Sequence, residues 1–131
     1  MKIFILLLLL AATSLFAEVI KIYPDQSFLK KDIPIVDIRT KGEWKETGIL
    51  KNAIPITFFD EKGNYNIPVF LKKLSEKVDV KKPFALVCRT GSRTNLVSKF
   101  LSNELKYHVY DLKGGMMYAI GEKLPVVPYK K

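Results

Sequence analysis

The architecture follows from residues 83–101, which read PFALVCRTGSRTNLVSKFL. The apolar run at 83–87 is typical of a strand buried on both faces of a parallel sheet. Beyond the loop, apolar side chains recur at helical spacing, at Leu96, Val97, Phe100, Leu101 and Leu105. We therefore expect a strand, a tight loop and a helix in direct succession, with Cys88 where the strand meets the loop.

Cys88 is the single cysteine of the chain, and its expected position favours reactivity. Unpaired backbone N–H groups and the positive end of the helix dipole converge at such a loop. The guanidinium groups of Arg89 and Arg93 add positive charge, and positive surroundings favour the thiolate, which is the nucleophilic form of cysteine. We interpret Cys88 as a nucleophile; the alternative is a structural cysteine at a strand end.

The remaining sequence alternates between strand-like and helix-like patterns. Strands are predicted near 19–23, 33–38, 53–56, 83–87 and 107–112. Helices are predicted near 24–29, 40–46 and 68–77, after the loop 88–93 over the helical spacing from Leu96 to Leu105, and after Gly114-Gly115. Residues 124–128 are expected to trail across the surface. This alternation predicts an α/β fold, with a central, mainly parallel sheet of about five short strands covered by helices on both faces.

The first 17 residues resemble a secretory signal peptide. Lys2 precedes an apolar segment from residue 3 to 12, and small residues lead up to Ala17. We therefore expect residues 18–131 to form one exported domain, located in the periplasm and without a stable membrane span after processing. An uncleaved membrane anchor is the alternative, although the segment is shorter than the ~20 residues that span a bilayer.

The composition excludes several classes of function. One cysteine and one histidine provide neither an intramolecular disulfide nor an ordinary zinc site, so we expect no metal and no cofactor. The net charge of +9 is spread over scattered lysines, without the basic stripe and interleaved aromatic residues of a nucleic-acid-binding protein. The positive surface could instead steer small anions toward the loop.

Three segments together are similar to the pattern of a single-domain rhodanese over about residues 23–128. They are Asp37-Ile38-Arg39 with Glu43-Trp44 and Gly48, the loop 88–93, and Leu112-Lys113-Gly114-Gly115 with Leu124-Pro125-Val126. Their order and spacing along the chain make the resemblance specific.

The resemblance implies a sulfurtransferase. Cys88 would take a sulfane sulfur from a small anionic donor such as thiosulfate, and its persulfide would pass that sulfur to a thiol or cyanide-like acceptor, or to a partner protein. Substrate would bind to the loop residues Arg89, Thr90, Gly91, Ser92 and Arg93. Inward-facing amides of the loop would stabilise the anion.

The roles of Asp37 and Arg39 stay open at this point. They could support the loop through charge-assisted hydrogen bonds, or pair only with each other or with Glu43. The single histidine, His108, lies far from Cys88 in sequence, and persulfide chemistry does not require it as a base.

Two other functions compete with sulfur transfer. A cysteine-dependent phosphatase or arsenate reductase would also hold an oxyanion in a cysteine loop, but such phosphatases place the arginine one position later, where this chain has Thr94. A sulfur-carrier or redox-interaction module without turnover is the other alternative.

Overall fold

Residues 18–130 are described by a computed structural model, and a sheet of five parallel strands runs through their centre. The strands are β1 (Val19–Ile22), β2 (Ile35–Asp37), β3 (Ile49–Leu50), β4 (Ile54–Pro55), β5 (Phe84–Val87), β6 (Val109–Leu112) and β7 (Val126–Val127). The order in the central sheet is β1-β6-β5-β2-β4. The expected signal peptide lies outside the described residues.

Helices cover both faces of this sheet, as the sequence predicted. They are α1 (Gln26–Leu29), α2 (Lys41–Thr47), α3 (Ile67–Lys77), α4 (Ser92–Leu105) and α5 (Gly115–Gly121). Between residues 18 and 130, no helix has the length and apolar character needed to cross a membrane.

The strand β5 divides the hydrophobic core into two clusters, because successive side chains of a strand point to opposite faces. Phe84 and Leu86 join the cluster beneath α3 and α4, whereas Ala85 and Val87 join the cluster beneath α1, α2 and α5. All four side chains are fully buried. The apolar run at 83–87 is therefore explained by burial on both faces.

Local signals in the sequence set the helix ends. Thr40 and Glu43 form the expected capping box at the start of α2, and the Asp25 side chain caps α1 by accepting from the Phe28 amide. In α4 the apolar spacing is only partly used for the core. Val97 and Leu101 are buried, but Leu96 is 61% exposed.

The expectation for residues 124–128 was wrong. Val126 and Val127 form β7, which pairs antiparallel with β3 through Leu50 and Ile49. The Lys51 amide extends the pairing by donating to the Pro125 carbonyl, at 3.0 Å. Strands of two residues are too short to show an alternating pattern, which is why the sequence did not reveal this second sheet.

Parallel pairing brings the carboxyl ends of the central strands to one edge. Asp37 at the end of β2 is in register with Val87 of β5, and Asp111 of β6 is in register with Leu86. Cys88 follows Val87 directly. The predicted nucleophile therefore lies at the edge where open α/β sheets place their sites.

The double glycine before α5 allows this helix to touch the cysteine loop. The Met116 amide donates to the Cys88 carbonyl at 2.8 Å, and the Met117 amide donates to the Arg89 carbonyl at 3.0 Å. Gly115 has φ +57°, and a Cβ built there would lie 2.5 Å from both carbonyl oxygens. Only glycine fits this approach of two backbone segments.

We expect Gly115→Ala to lower the free energy of unfolding by about 2–4 kcal/mol, because its Cβ meets backbone atoms that cannot move aside. Chemical denaturation measures the change. Gly121→Ala is the matched control in the same helix, where a Cβ meets nothing within 4 Å. We expect it to stay within about 1 kcal/mol of the wild type. Equal effects of both changes would contradict this account of Gly115.

Candidate functional site

The thiol of Cys88 lies beneath the loop that follows β5. The residue is fully buried, and its Sγ accepts a hydrogen bond from the Gly91 amide at 3.2 Å. Gly91 can turn its amide inward because its φ is +108°, a conformation that other residues rarely adopt. Among residues 18–130, the Gly91 amide is the one loop amide that donates a hydrogen bond to the sulfur. We had expected several inward-facing amides between Arg89 and Arg93.

The exposure of the loop residues differs from that of the cysteine that they follow. Arg89, Thr90 and Ser92 are exposed, whereas Cys88 has no exposed surface. The Gly91 amide reaches the sulfur from the loop, and the Cys88 side chain also belongs to the core cluster beneath α3 and α4. In this conformation Cys88 thus has no exposed surface at which a molecule in solution could contact the sulfur.

Arg93 is bound to another side chain of the protein. Its Nη1 and Nη2 donate to Oε1 and Oε2 of Glu43, each at 2.8 Å, in a bidentate pair between α4 and α2. These hydrogen bonds are the main reason that the pKa of Glu43 falls from 4.5 to about 2, and they raise the pKa of Arg93. The positive charge of Arg93 is thus compensated before any substrate arrives.

Arg89 provides the positive charge of the loop that has no partner. Its side chain is exposed and makes no hydrogen bond or ion pair with the described residues 18–130. An anion that approaches the loop would meet this guanidinium without displacing a carboxylate.

Asp37 and Arg39 form a buried ion pair with each other. Arg39 Nη2 lies 2.8 Å from Asp37 Oδ2, and Nε lies 2.9 Å from Oδ1. The remaining donors of the guanidinium bind the Thr47 hydroxyl and the Gly48 carbonyl, both at 2.9 Å at the end of α2. The pair therefore fixes α2, and α2 carries the Glu43 carboxylate that holds Arg93.

Four further residues reach the site without having been predicted as part of it. Glu43 was expected as a capping residue, as part of the family pattern and as an alternative partner of Asp37 or Arg39, but not as the partner of Arg93. Thr94 entered only the comparison with phosphatases, and Asp111 and Lys21 were given no role at the site. Thr94 Oγ1 lies 3.7 Å from Cys88 Sγ and 2.6 Å from Asp111 Oδ1. A carboxylate in the otherwise apolar strand β6 was the signal that could have identified Asp111, because buried charges need partners.

Other titratable groups stay away from the sulfur. His108 is exposed and precedes β6, so it lies at the opposite end of the sheet from Cys88, where its carbonyl accepts from the Phe84 amide. The described chain, residues 18–130, contains no cluster of three or more acidic, histidine or cysteine side chains that could hold a metal ion.

Comparison with known proteins identifies the family. The rhodanese-like domain model matches residues 24–118. The chain belongs to the rhodanese-like domain family. An uncharacterized protein of Rickettsia prowazekii is 33% identical to this rhodanese-like domain over 84 residues, which are 62% of this chain and 67% of that protein.

Solved structures share the rhodanese-like fold at lower identity. A rhodanese-related protein of Thermoplasma volcanium is 24% identical, with a TM-score of 0.60, over 86% of this chain and 97% of that one. The protein Rv0390 of M. tuberculosis is 19% identical, with a TM-score of 0.61, over 76% and 80% of the two chains. At this identity the likeness concerns the fold alone.

The Glu43–Arg93 pair predicts a pH-dependent stability difference between the wild type and Glu43→Gln. The pKa of Glu43 is lowered on folding, so the ion pair stabilises the protein above about pH 4.5 and is lost as the pH falls toward 2. Gln retains the capping interaction but carries no charge. After allowance for solvent screening, we expect about 1–2 kcal/mol of destabilisation at pH 7.

Denaturant titration between pH 2 and pH 7 measures this difference. The destabilisation of Glu43→Gln relative to the wild type should become smaller as the pH is lowered from about 4.5 to about 2. A difference that stays constant over this range would show that the carboxylate charge is not its cause.

Proposed function

We propose that this protein is a sulfurtransferase that carries a sulfane sulfur on Cys88. The observation that carries the proposal is the hydrogen bond from the Gly91 amide to Cys88 Sγ, in a loop between the parallel strand β5 and the helix α4. A backbone N–H group that points at the sulfur stabilises negative charge on it, so this hydrogen bond favours the thiolate form of Cys88. Membership of the rhodanese-like family supports the same chemistry.

The reaction divides into two displacements. The Cys88 thiolate attacks the outer sulfur of thiosulfate, the sulfur–sulfur bond breaks, and sulfite leaves with the bonding electron pair. The enzyme then holds a persulfide whose negative charge lies on the outer sulfur. Cyanide or a thiolate attacks that sulfur, which restores the Cys88 thiolate.

The charges around the loop favour a small anionic donor. Arg89 is exposed and unpaired among the described residues, so it could hold the sulfonate part of thiosulfate near the loop. Arg93, which we had expected to share this task, is bound to Glu43. Docking of the donor therefore depends on Arg89 more than on Arg93.

The size of the loop supports sulfur transfer over phosphate chemistry. Arg93 lies five positions after Cys88, and position 94 carries a threonine. The resulting loop closes tightly enough that the Gly91 amide contacts the sulfur itself. A tetrahedral phosphate would need several loop amides turned toward a larger space.

A sulfur carrier with little turnover is the second candidate. The complete burial of Cys88 favours it, because each exchange of sulfur would require the loop to open. A carrier would accept sulfur once and release it only to a partner protein that opens the loop. Loading and turnover can be measured separately, and these measurements distinguish the two candidates.

Intact mass measurement after incubation with thiosulfate tests the proposal. We expect the mass to increase by one sulfur atom, and we expect Cys88→Ser, the matched control, to gain none. Thiocyanate released from added cyanide measures turnover, and an aryl phosphate measures phosphatase activity. Loading without thiocyanate would identify the carrier, whereas phosphate release without loading would reject both candidates.

Arg89→Gln tests the proposed docking site for the donor. We expect the KM for thiosulfate to rise about tenfold with a smaller change in kcat, because a charge-assisted contact to an anion contributes on the order of 1.5 kcal/mol. Lys99→Gln removes one charge from an exposed site on α4 and controls for net charge. Equal effects of the two variants would indicate general attraction of anions instead of docking at Arg89.

A further inference from the structure

A buried carboxylate that the sulfur-transfer reaction does not use lies two hydrogen bonds from the thiol. Asp111 in β6 is 2% exposed, and its Oδ1 lies 2.6 Å from Thr94 Oγ1. The same Thr94 oxygen lies 3.7 Å from Cys88 Sγ and 3.2 Å from the Gly91 carbonyl. Cys88, Thr94 and Asp111 form what we call the sulfur–carboxylate chain.

The single proton of the Thr94 hydroxyl determines which hydrogen bonds the sulfur–carboxylate chain can contain. A threonine hydroxyl has one proton, and three acceptors surround that of Thr94: a carboxylate, a carbonyl and the sulfur. The ionised carboxylate is both the closest and the strongest acceptor, so the proton points to Asp111. The Thr94 oxygen then presents only lone pairs to Cys88, and it can accept a proton from a thiol but cannot donate one to a thiolate.

We propose that Asp111 is a positioning residue that, by binding the Thr94 proton, withholds a hydrogen bond from the Cys88 thiolate. The consequence for catalysis rests on the proposed sulfur transfer. Without that hydrogen bond the thiolate of the empty enzyme is less stable and more reactive. In the persulfide the negative charge lies on the outer sulfur, farther from Thr94. The missing hydrogen bond therefore does not destabilise the loaded enzyme.

The surrounding charges are arranged consistently with this role. Lys21 of β1 places its Nζ 3.1 Å from Asp111 Oδ2 and 2.6 Å from Asn95 Oδ1, so an ammonium group lies against the carboxylate oxygen that does not bind Thr94. The pKa of Arg93 of α4 is raised chiefly by its hydrogen bonds to Glu43 of α2, and to a smaller extent by Cys88 and by Asp37 of β2. Arg89 is the remaining charge in the loop itself.

The position of Lys21 also predicts how Asp111→Asn would rearrange. The Asn side-chain oxygen should face the Lys21 ammonium group, because the amide nitrogen and the ammonium group are both hydrogen-bond donors and would repel each other. The amide nitrogen then faces Thr94 and donates to Oγ1. This releases the Thr94 proton toward the sulfur, so the variant should stabilise the thiolate that the wild type leaves without this bond.

The pH dependence of alkylation by iodoacetamide measures the effect directly on the thiol. We expect Asp111→Asn to lower the midpoint of the profile by about one pH unit, the size expected for a hydrogen bond to a charged group. Thr94→Ser keeps the hydroxyl and should retain the wild-type midpoint. An unchanged midpoint in Asp111→Asn would overturn the proposal.

A double-mutant cycle separates this route from simple loss of negative charge. Thr94→Val lacks the hydroxyl, so in that background Asp111→Asn should change the midpoint by less than about one third of its effect in the wild type. A full effect without the hydroxyl would mean that the charge acts directly through space, and the positioning role would be rejected.

The direction of the Thr94 hydroxyl proton can also be measured in the wild-type protein, without any variant and without a reaction of the thiol. In a labelled sample at neutral pH, we expect the Thr94 hydroxyl proton to exchange slowly and to show scalar coupling to the Asp111 carboxyl carbon in NMR spectra. A hydroxyl proton directed at Cys88 would overturn the proposal. Loading by thiosulfate is read separately, so failure of sulfur transfer would not be confused with failure of this inference.

Discussion

The contact between α5 and the cysteine loop is the constraint on which the site depends. The first turn of a helix leaves its amides without intrahelical partners, and here the amides of Met116 and Met117 bind the carbonyls of Cys88 and Arg89. Gly115 permits this approach because it has no side chain between the two backbones. With these carbonyls bound to α5, the chain turns at Gly91, whose amide donates a hydrogen bond to Cys88 Sγ. The double glycine therefore acts on the loop geometry although it lies far away in sequence.

A second set of contacts holds Arg93, at the end of the loop. The buried Asp37–Arg39 pair joins the end of β2 to the end of α2, and Glu43 near the start of α2 holds Arg93. Removing one member of such a buried pair leaves the other charge unpaired, so this support is sensitive to single substitutions. The arrangement also divides the work of the two loop arginines. Arg93 is paired with Glu43, whereas Arg89 has no such partner among residues 18–130 and is the arginine that we propose for docking of the donor.

The sequence predicted the central sheet because its strands carry strong local signals. The run at 83–87 is apolar on both faces, and the capping box at Thr40 marks the start of α2. The β3–β7 sheet was missed because a pairing of two residues leaves no periodic pattern. The Glu43–Arg93 pair joins residues 50 positions apart, and Thr94 meets Asp111 only because α4 packs against β6. Such contacts arise from tertiary packing, and a single sequence does not encode them in any local spacing.

The burial of Cys88 is compatible with a reactive thiol because the strand β5 before it is buried, whereas most residues of the loop after it are exposed. On the inner side, β5 lies between two hydrophobic clusters, and opening it would expose several fully buried side chains. On the outer side, Arg89, Thr90 and Ser92 are exposed, so moving them uncovers little apolar surface. Local opening at low cost is expected where few buried contacts are lost. The sulfur transfer that we propose requires an opening of the loop, and such an opening would break the hydrogen bond from the Gly91 amide to the sulfur while it leaves the two core clusters intact.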